Sequence, residues 1–273
     1  MRKIRGDIKR MRTLSTVPVV MRQLMEKLSD EDASYIEIGE VIEHDQSMAE
    51  RVVSIANAPY FGHSGLINNI EQAILLLGID MVKSIAVSMS IFEMISRNES
   101  SDVRNFWAHS YEVAMIAGLL CEKIPVTSSG VCFLAGLLHD IGRVVFYSLY
   151  REDYKTIMFT EELRVGELAR FGMDHADAGS VFLEQVLIPE EIVIAVRHHH
   201  DLRGVEKHKG IATTVCLAES LSARISERQG NDGIWNEDIE RLSYETGLSS
   251  KDFEDIARVV KEEGSSIAEF FDL

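Results

Sequence analysis

The segment FLAGLLHDIGRVVF, Phe133 to Phe146, decides how this chain is read. Most of it suits a helix buried on several sides. His139 and Asp140 then interrupt it, side by side. Polar groups left unsatisfied at apolar helical positions cost about 1–3 kcal/mol each. The pair is therefore either satisfied locally by hydrogen bonds or faces something that needs both an imidazole and a carboxylate.

Working outward, helical periodicity dominates. In VPVVMRQLMEKL, residues Val17, Val20, Met21, Leu24 and Leu28 share one stripe. SMAERVVSIAN opens with Ser47 and Glu50 in capping-box spacing and puts Met48, Val52 and Ile55 on one face. NAPYFGHSG has the composition of a loop, and NNIEQAILLLG is a short helix stopped at Gly78. IDMVKSIAVSMSIFEMI, Ile79 to Ile95, is almost continuously apolar and is expected as a central helix. Alternating strand patterns are scarce and short, so the expected class is all-α. The polar stretch SRNESSDVRN and the later SERQGNDG divide the chain into an N-terminal helical lobe (1–98), a longer second helical lobe (99–225), and a C-terminal helical tail (226–273). The second lobe's first helix is expected to begin near Phe106.

Composition bounds the function classes. A hydrophobic share of 46% supplies a real core. With 28 Lys and Arg against 44 Asp and Glu, the net charge is −16, which disfavours nucleic acid and anionic membranes as broad partners. The basic opening MRKIRGDIKRMR is read as a solvated helix end; it lacks the apolar core and cleavage site of a signal peptide. Cys121, Cys132 and Cys216 form no CxxC pair, which argues against a disulfide framework or zinc ribbon and for a reducing cytoplasm. No apolar run reaches the ~18–20 residues of a membrane span. Phe270, Phe271 and Leu273 are candidates for docking on the body or on a second copy.

Six of the nine histidines fall between residues 109 and 200, on segments that read as helical. His109 lies in FWAHSYEVAMIAGLL. His139 and Asp140 are the opening pair, and two consecutive helical residues point about 100° apart, so both can grip one ion from two directions. His175 follows Asp174, which is placed to cap a helix. His198, His199 and His200 end PEEIVIAVRHHHD. Each histidine alone reads as a core residue with a hydrogen bond, and the triple histidine as a helix end favoured by the dipole. Taken together they read differently. A shared ion or a shared hydrogen-bond network would satisfy all of them at once. Imidazole and carboxylate donors suit Fe, Mn, Zn or Ni, and the space between helices of a bundle is a common place for such ligands.

LLHDIGR resembles the signature of the HD superfamily, named for its adjacent His and Asp. More of the chain resembles one branch of it, the HD-related output domain or HDOD. LSTVPVVMRQLMEKL, IEHDQSMAERVVSIANAPYFG, INNIEQAILLLGIDMVKSIAV, FWAHSYEVA, FLAGLLHDIGRVVF and RFGMDHADAGSVFLEQVLIPEEIVIAVRHHHD follow that family's order over roughly residues 13 to 225. The resemblance implies a two-lobed all-helical fold, a bacterial signal-transduction role, and signalling proteins or a small phosphate-containing ligand as partners. HDOD domains are often joined to receiver domains; these 273 residues leave no room for one.

Catalytic HD relatives include cyclic-di-GMP phosphodiesterases of the HD-GYP branch. Carried over by resemblance, their ligands for one or two divalent ions fall on His109, His139, Asp140, His175, His199 and His200, with Asp201 at their HHE glutamate. Their final acidic ligand falls near Glu219 in VCLAESLSARI. Where the relatives have lysine after HDIG, this chain has Arg143, which binds phosphate but is not a proton donor at neutral pH. No GYP segment follows the histidines. The resemblance therefore implies a regulatory module with an HD-type metal site, and as the alternative a metal-dependent phosphohydrolase with Arg143 on the phosphate.

Overall fold

The structure is a computed structural model describing residues 2–11, 19–28, 34–62, 65–95, 101–124, 126–226 and 232–262. Among these there is no strand, and the all-α expectation holds. The expected C-terminal docking residues, and residues 96–100 and 227–231 of the two polar seams, lie outside the described residues.

Helix α1 (Arg2–Arg10) holds the basic run. It does not stand off as a solvated end: Ile4 and Ile8 are buried, and it packs on α9 (Ile141–Lys155) and α11 (His175–Gln185), with Tyr150 donating to Asp7. The first lobe proper runs through α2 (Val19–Leu28), α3 (Tyr35–Glu43), α4 (Gln46–Ala56), α5 (Ile70–Leu77) and α6 (Ile79–Ile95). Ser34 and Glu37 form a capping box on α3. The capping box expected at Ser47 is corrected: α4 starts two residues earlier, at Gln46, and the Asp45 carboxylate accepts the Met48 N–H at 3.1 Å instead. Met48, Val52 and Ile55 are buried as one face. Gly78 adopts φ 84°, ends α5 and lets α6 begin at once. From Met81 to Ile91, α6 is buried on every side.

Helix α7 (Ser101–Lys123) begins five residues earlier than expected and packs along α8 (Ser129–Leu138), which also lies against α6. One hydrophobic core thus runs from the first lobe into the second. Helices α10 (Leu163–Phe171), α11, α12 (Glu190–His198) and α13 (Lys209–Ile225) complete the second half. The tail helices α14 (Glu237–Glu245) and α15 (Ser250–Glu262) pack on α13 and α7.

The single buried helix expected around His139 is corrected. Helix α8 ends at Leu138 and α9 starts at Ile141, with Asp140 between them at φ −97°, ψ 11°. Together the two have the length and hydropathy of a membrane span, but 89% of that window is buried inside the fold. Gly142 explains why the chain can turn there. A Cβ at this position would stand 1.9 Å from the His175 carbonyl oxygen, so only glycine lets the start of α9 abut the start of α11.

Candidate metal centre

Five helix faces or ends and one tail residue converge. His109 comes from the middle of α7, and His139 and Asp140 from the α8–α9 turn. His175 opens α11 behind its N-cap, Asp174, whose carboxylate accepts the Asp177 N–H at 3.0 Å and pairs with Arg164 at 2.9 Å. His199 and His200 follow α12, and Glu219 projects from α13. His109, His139, Asp140, His175, His199 and Glu219 are each at most 1% exposed.

The side chains fall into two groups that share Asp140. In the first, Glu219 Oε2 lies 2.7 Å from His139 Nε2 and 3.1 Å from His109 Nε2, while Asp140 Oδ2 is 3.7 and 3.9 Å from the same two nitrogens. In the second, Asp140 Oδ1 lies 3.3 Å from His175 Nε2 and 4.0 Å from His199 Nε2, and His175 and His200 bring their Nε2 atoms within 2.9 Å of each other. Within each of three triads (His109, His139, Asp140; His175, His199, His200; Asp140, His175, Asp232) the donor atoms lie within 4.8 Å of one another.

The outer nitrogens set the imidazoles. His139 Nδ1–H donates to the Gly136 carbonyl at 2.7 Å, His199 Nδ1–H to Val196 at 2.6 Å, and His175 Nδ1–H to Glu167 Oε2 at 2.8 Å. In the neutral imidazole each bond would leave an Nε2 lone pair turned inward, the tautomer a metal ligand needs. Glu167 is itself fixed by the His175 N–H at 2.9 Å and the Tyr154 hydroxyl at 2.8 Å.

Charge and hydrogen bonding both point to a cation. Asp140, Glu167, Glu219 and Asp232 bring four carboxylates into the interior against the guanidinium of Arg143. Buried carboxylates in excess must be matched by protons or by metal. Burial pulls the His139 imidazole down, yet Asp140 and Glu219 outweigh it and hold it at about 9. Burial acts likewise on His175, and Glu167, Asp232 and Asp140 hold it at about 10. His199 is pushed well below the ordinary value by burial and by the neighbouring imidazoles. Glu219 would be raised by burial, but His109 and His139 hold it well below the usual carboxylate range. Asp140 Oδ1, His199 Nε2 and Glu219 Oε1 are buried with no hydrogen-bond partner. Bound ions would satisfy such inward-facing donor atoms together, so these residues fit a metal with mixed nitrogen and oxygen ligands.

All seven metal-site residues expected from sequence thus meet within one centre. Other expected contacts fall elsewhere. Asp201 turns outward and holds Arg203 at 2.6 Å, and His198 Nδ1 lies 3.2 Å from the Asp201 carbonyl. Arg143, expected on a phosphate, is fully buried one turn after Asp140. It donates to Asp140 Oδ2 at 2.9 Å and to the Met158 carbonyl at 3.1 Å, with the Phe106 ring 4.9 Å away. Its observed contacts orient Asp140.

Two residues were missed. Glu167 shares a stripe with Leu163 and Phe171, all buried, and a carboxylate at that apolar spacing was the available signal. Asp232 sits in a Gly- and Asn-containing stretch that reads as a plain loop. Beside His200 lies a cavity of about 980 Å³ lined by Arg164, Asp201, Arg203, Lys209 and Arg241 among others.

Comparison with known proteins bears on the family and the fold. The chain is 22% identical over 214 residues to an uncharacterized protein of Treponema pallidum, covering 74% of this chain and 40% of that one. It is 31% identical over 120 residues to ribonuclease Y of Aquifex aeolicus, covering 44% of this chain and 17% of that enzyme. The chain therefore spans well under half the length of these relatives. The crystal structure of an HDOD domain protein from Geobacter sulfurreducens superposes with a TM-score of 0.79 at 25% identity, covering 99% of this chain and 97% of that one. The HDOD domain model matches residues 14–202. With that match spanning most of its length, the chain belongs to the HDOD domain family.

Proposed function

We propose that this chain is an output or regulatory module of bacterial signal transduction, working in the cytoplasm. It binds signalling proteins or a small phosphate-containing ligand, and a divalent metal centre braces its second half. The observation that carries this reading is how little of the centre is exposed: six of its ligand residues are at most 1% exposed, and of the seven only His200 lines the neighbouring cavity. A substrate needs a way to the ion, and a brace does not. The outer face of α3 and α5 supports the same reading, because it leaves Tyr35, Ile36, Leu75 and Leu76 exposed beside Glu40, Glu43 and Glu71. Exposed apolar patches rimmed by charge are common where proteins meet. Cys121, Cys132 and Cys216 are buried free thiols, in keeping with a reducing compartment.

One observation favours a second reading, a metal-dependent phosphohydrolase. Asp140 belongs to both ligand groups, as a carboxylate shared by a pair of ions would. Bound ions would there acidify a water and polarise a phosphoryl oxygen. His109, His139, His175, His199, His200 and Glu219 would hold them, and Arg143 would keep Asp140 aimed. The test is turnover of bis(p-nitrophenyl) phosphate, a cyclic dinucleotide and an RNA oligonucleotide with Mn²⁺ or Fe²⁺ supplied. The module reading expects rates no higher than those of Asp140→Ala. Turnover that Asp140→Ala abolishes with the fold intact overturns it in favour of the hydrolase.

A further inference from the structure

After α13 the chain comes back to the centre at Asp232. Gly233 makes the return possible: a Cβ there would stand 2.5 Å from the Glu219 carbonyl oxygen, so the backbone lies directly on α13. Two residues on, Trp235 meets Phe253 of α15 edge to face at 5.2 Å, and the Arg224 guanidinium lies 4.7 Å from its ring. The segment is thus held from both sides, and Asp232 is set over the second ligand group.

The Asp232 carboxylate has Oδ2 at 3.2 Å from His200 Nε2 and 3.6 Å from His175 Nε2, with Oδ1 at 3.9 Å from Arg143 Nη1. Both oxygens are buried, and neither makes a hydrogen bond. A carboxylate taken out of water without a hydrogen bond is costly unless a cation compensates it. Its donor atom lies within 4.8 Å of those of Asp140 and His175.

We propose that Asp232 is a metal ligand delivered by the C-terminal tail. It adds a further protein donor to the second ligand group of Asp140, His175, His199 and His200. This rests on the metal-centre reading above and extends it. Structural sites are closed by their protein ligands, whereas catalytic ions keep a position open. Asp232 takes that position, so filling the second site and docking α14 and α15 become one event.

The experiment loads full-length wild type, Asp232→Ala and Asp232→Asn with Co²⁺. Bound metal is measured by equilibrium dialysis with elemental analysis, and folding is checked by circular dichroism. The wild type is expected to hold two ions. The variants should keep one and bind the other roughly 10–100-fold more weakly, or worse. Inorganic phosphate should leave the visible spectrum of the wild-type Co²⁺ protein unchanged and alter that of Asp232→Ala, whose second site is open. Proteolysis of the tail should slow on metal loading in the wild type alone. Variants that bind both ions at wild-type affinity overturn the proposal by themselves. So does a wild type with a single ion that Asp232→Ala leaves undisturbed. A wild type that takes up no ion overturns the metal centre itself.

Discussion

Helix α6 and the α8–α9 turn look alike in sequence, two apolar stretches with polar residues embedded in them, but they bury those residues in opposite ways. In α6 two of the buried serines close on nearby backbone, while Lys83 reaches the Lys27 carbonyl at 3.4 Å and Ser84 Oγ has no hydrogen bond. Ser88 donates to the Ile85 carbonyl at 2.7 Å and Ser90 to Ala86 at 3.0 Å. At the α8–α9 turn His139 and Asp140 each have one local bond, to the Gly136 carbonyl and from Arg143, but their inward-facing atoms meet α7, α11 and α13, and several donor atoms there still have no hydrogen bond. Local closure needs nothing beyond the helix. Long-range closure that leaves lone pairs pointing inward marks a place built around something else.

The sharpest way to break this contrast is Asp140→Ala. It removes the carboxylate shared by both groups and breaks the buried Arg143–Asp140 pair. Removing one partner of a buried ion pair costs about 3–5 kcal/mol, so urea denaturation should show a loss up to that order, and metal analysis should show neither ion retained. Glu167→Gln comes next. It keeps the shape but weakens the hold on His175 Nδ1, and metal affinity should fall about 10–100-fold, read by chelator competition.

The third prediction concerns protons. A ligand imidazole must be neutral, while His139 at about 9 and His175 at about 10 carry protons at pH 7 in the metal-free protein. Metal loading at pH 7 should release about two protons, measured by titration calorimetry in buffers of different ionisation enthalpy. For stability the signs are fixed. Both folded values lie above the ordinary histidine value of 6.5, so their contribution is full below that pH and disappears as pH rises through about 9 and about 10. His199, shifted downward, works in the other direction: its contribution is present above 6.5 and is lost as pH falls toward its lowered value. Loaded protein should lack the alkaline loss. The smallest effect is expected from Ser88→Ala, about 1 kcal/mol or less in the melting analysis, with metal content unchanged.

What could be read in advance follows the same division. The apolar runs of α6 and α8 and the order of the histidines are local patterns, and the helices and the ligand types were legible from them. The break between Leu138 and Ile141 was not, because it depends on Gly142 meeting α11, a contact no periodicity encodes. The first helix was read from its charges, while its attachment rests on Ile4 and Ile8. Asp45 caps α4 although Ser47 and Glu50 carry the capping-box spacing, because the helix begins at Gln46. Arg143 was assigned by chemistry to a phosphate, but one helical turn places it on Asp140 instead. Asp232 had no local signal at all; only the return of the tail across α13 places it.

The contact at Gly142 has a last consequence. The bite between Asp140 and His175 is gauged by an absent carbon, since two main chains touch where a side chain would otherwise keep them apart. The span available to an ion between these two residues is therefore set by backbone against backbone. Imidazoles can swivel, but this main-chain separation cannot widen without prying two helix ends apart, so an ion held between them would meet a spacing fixed by backbone.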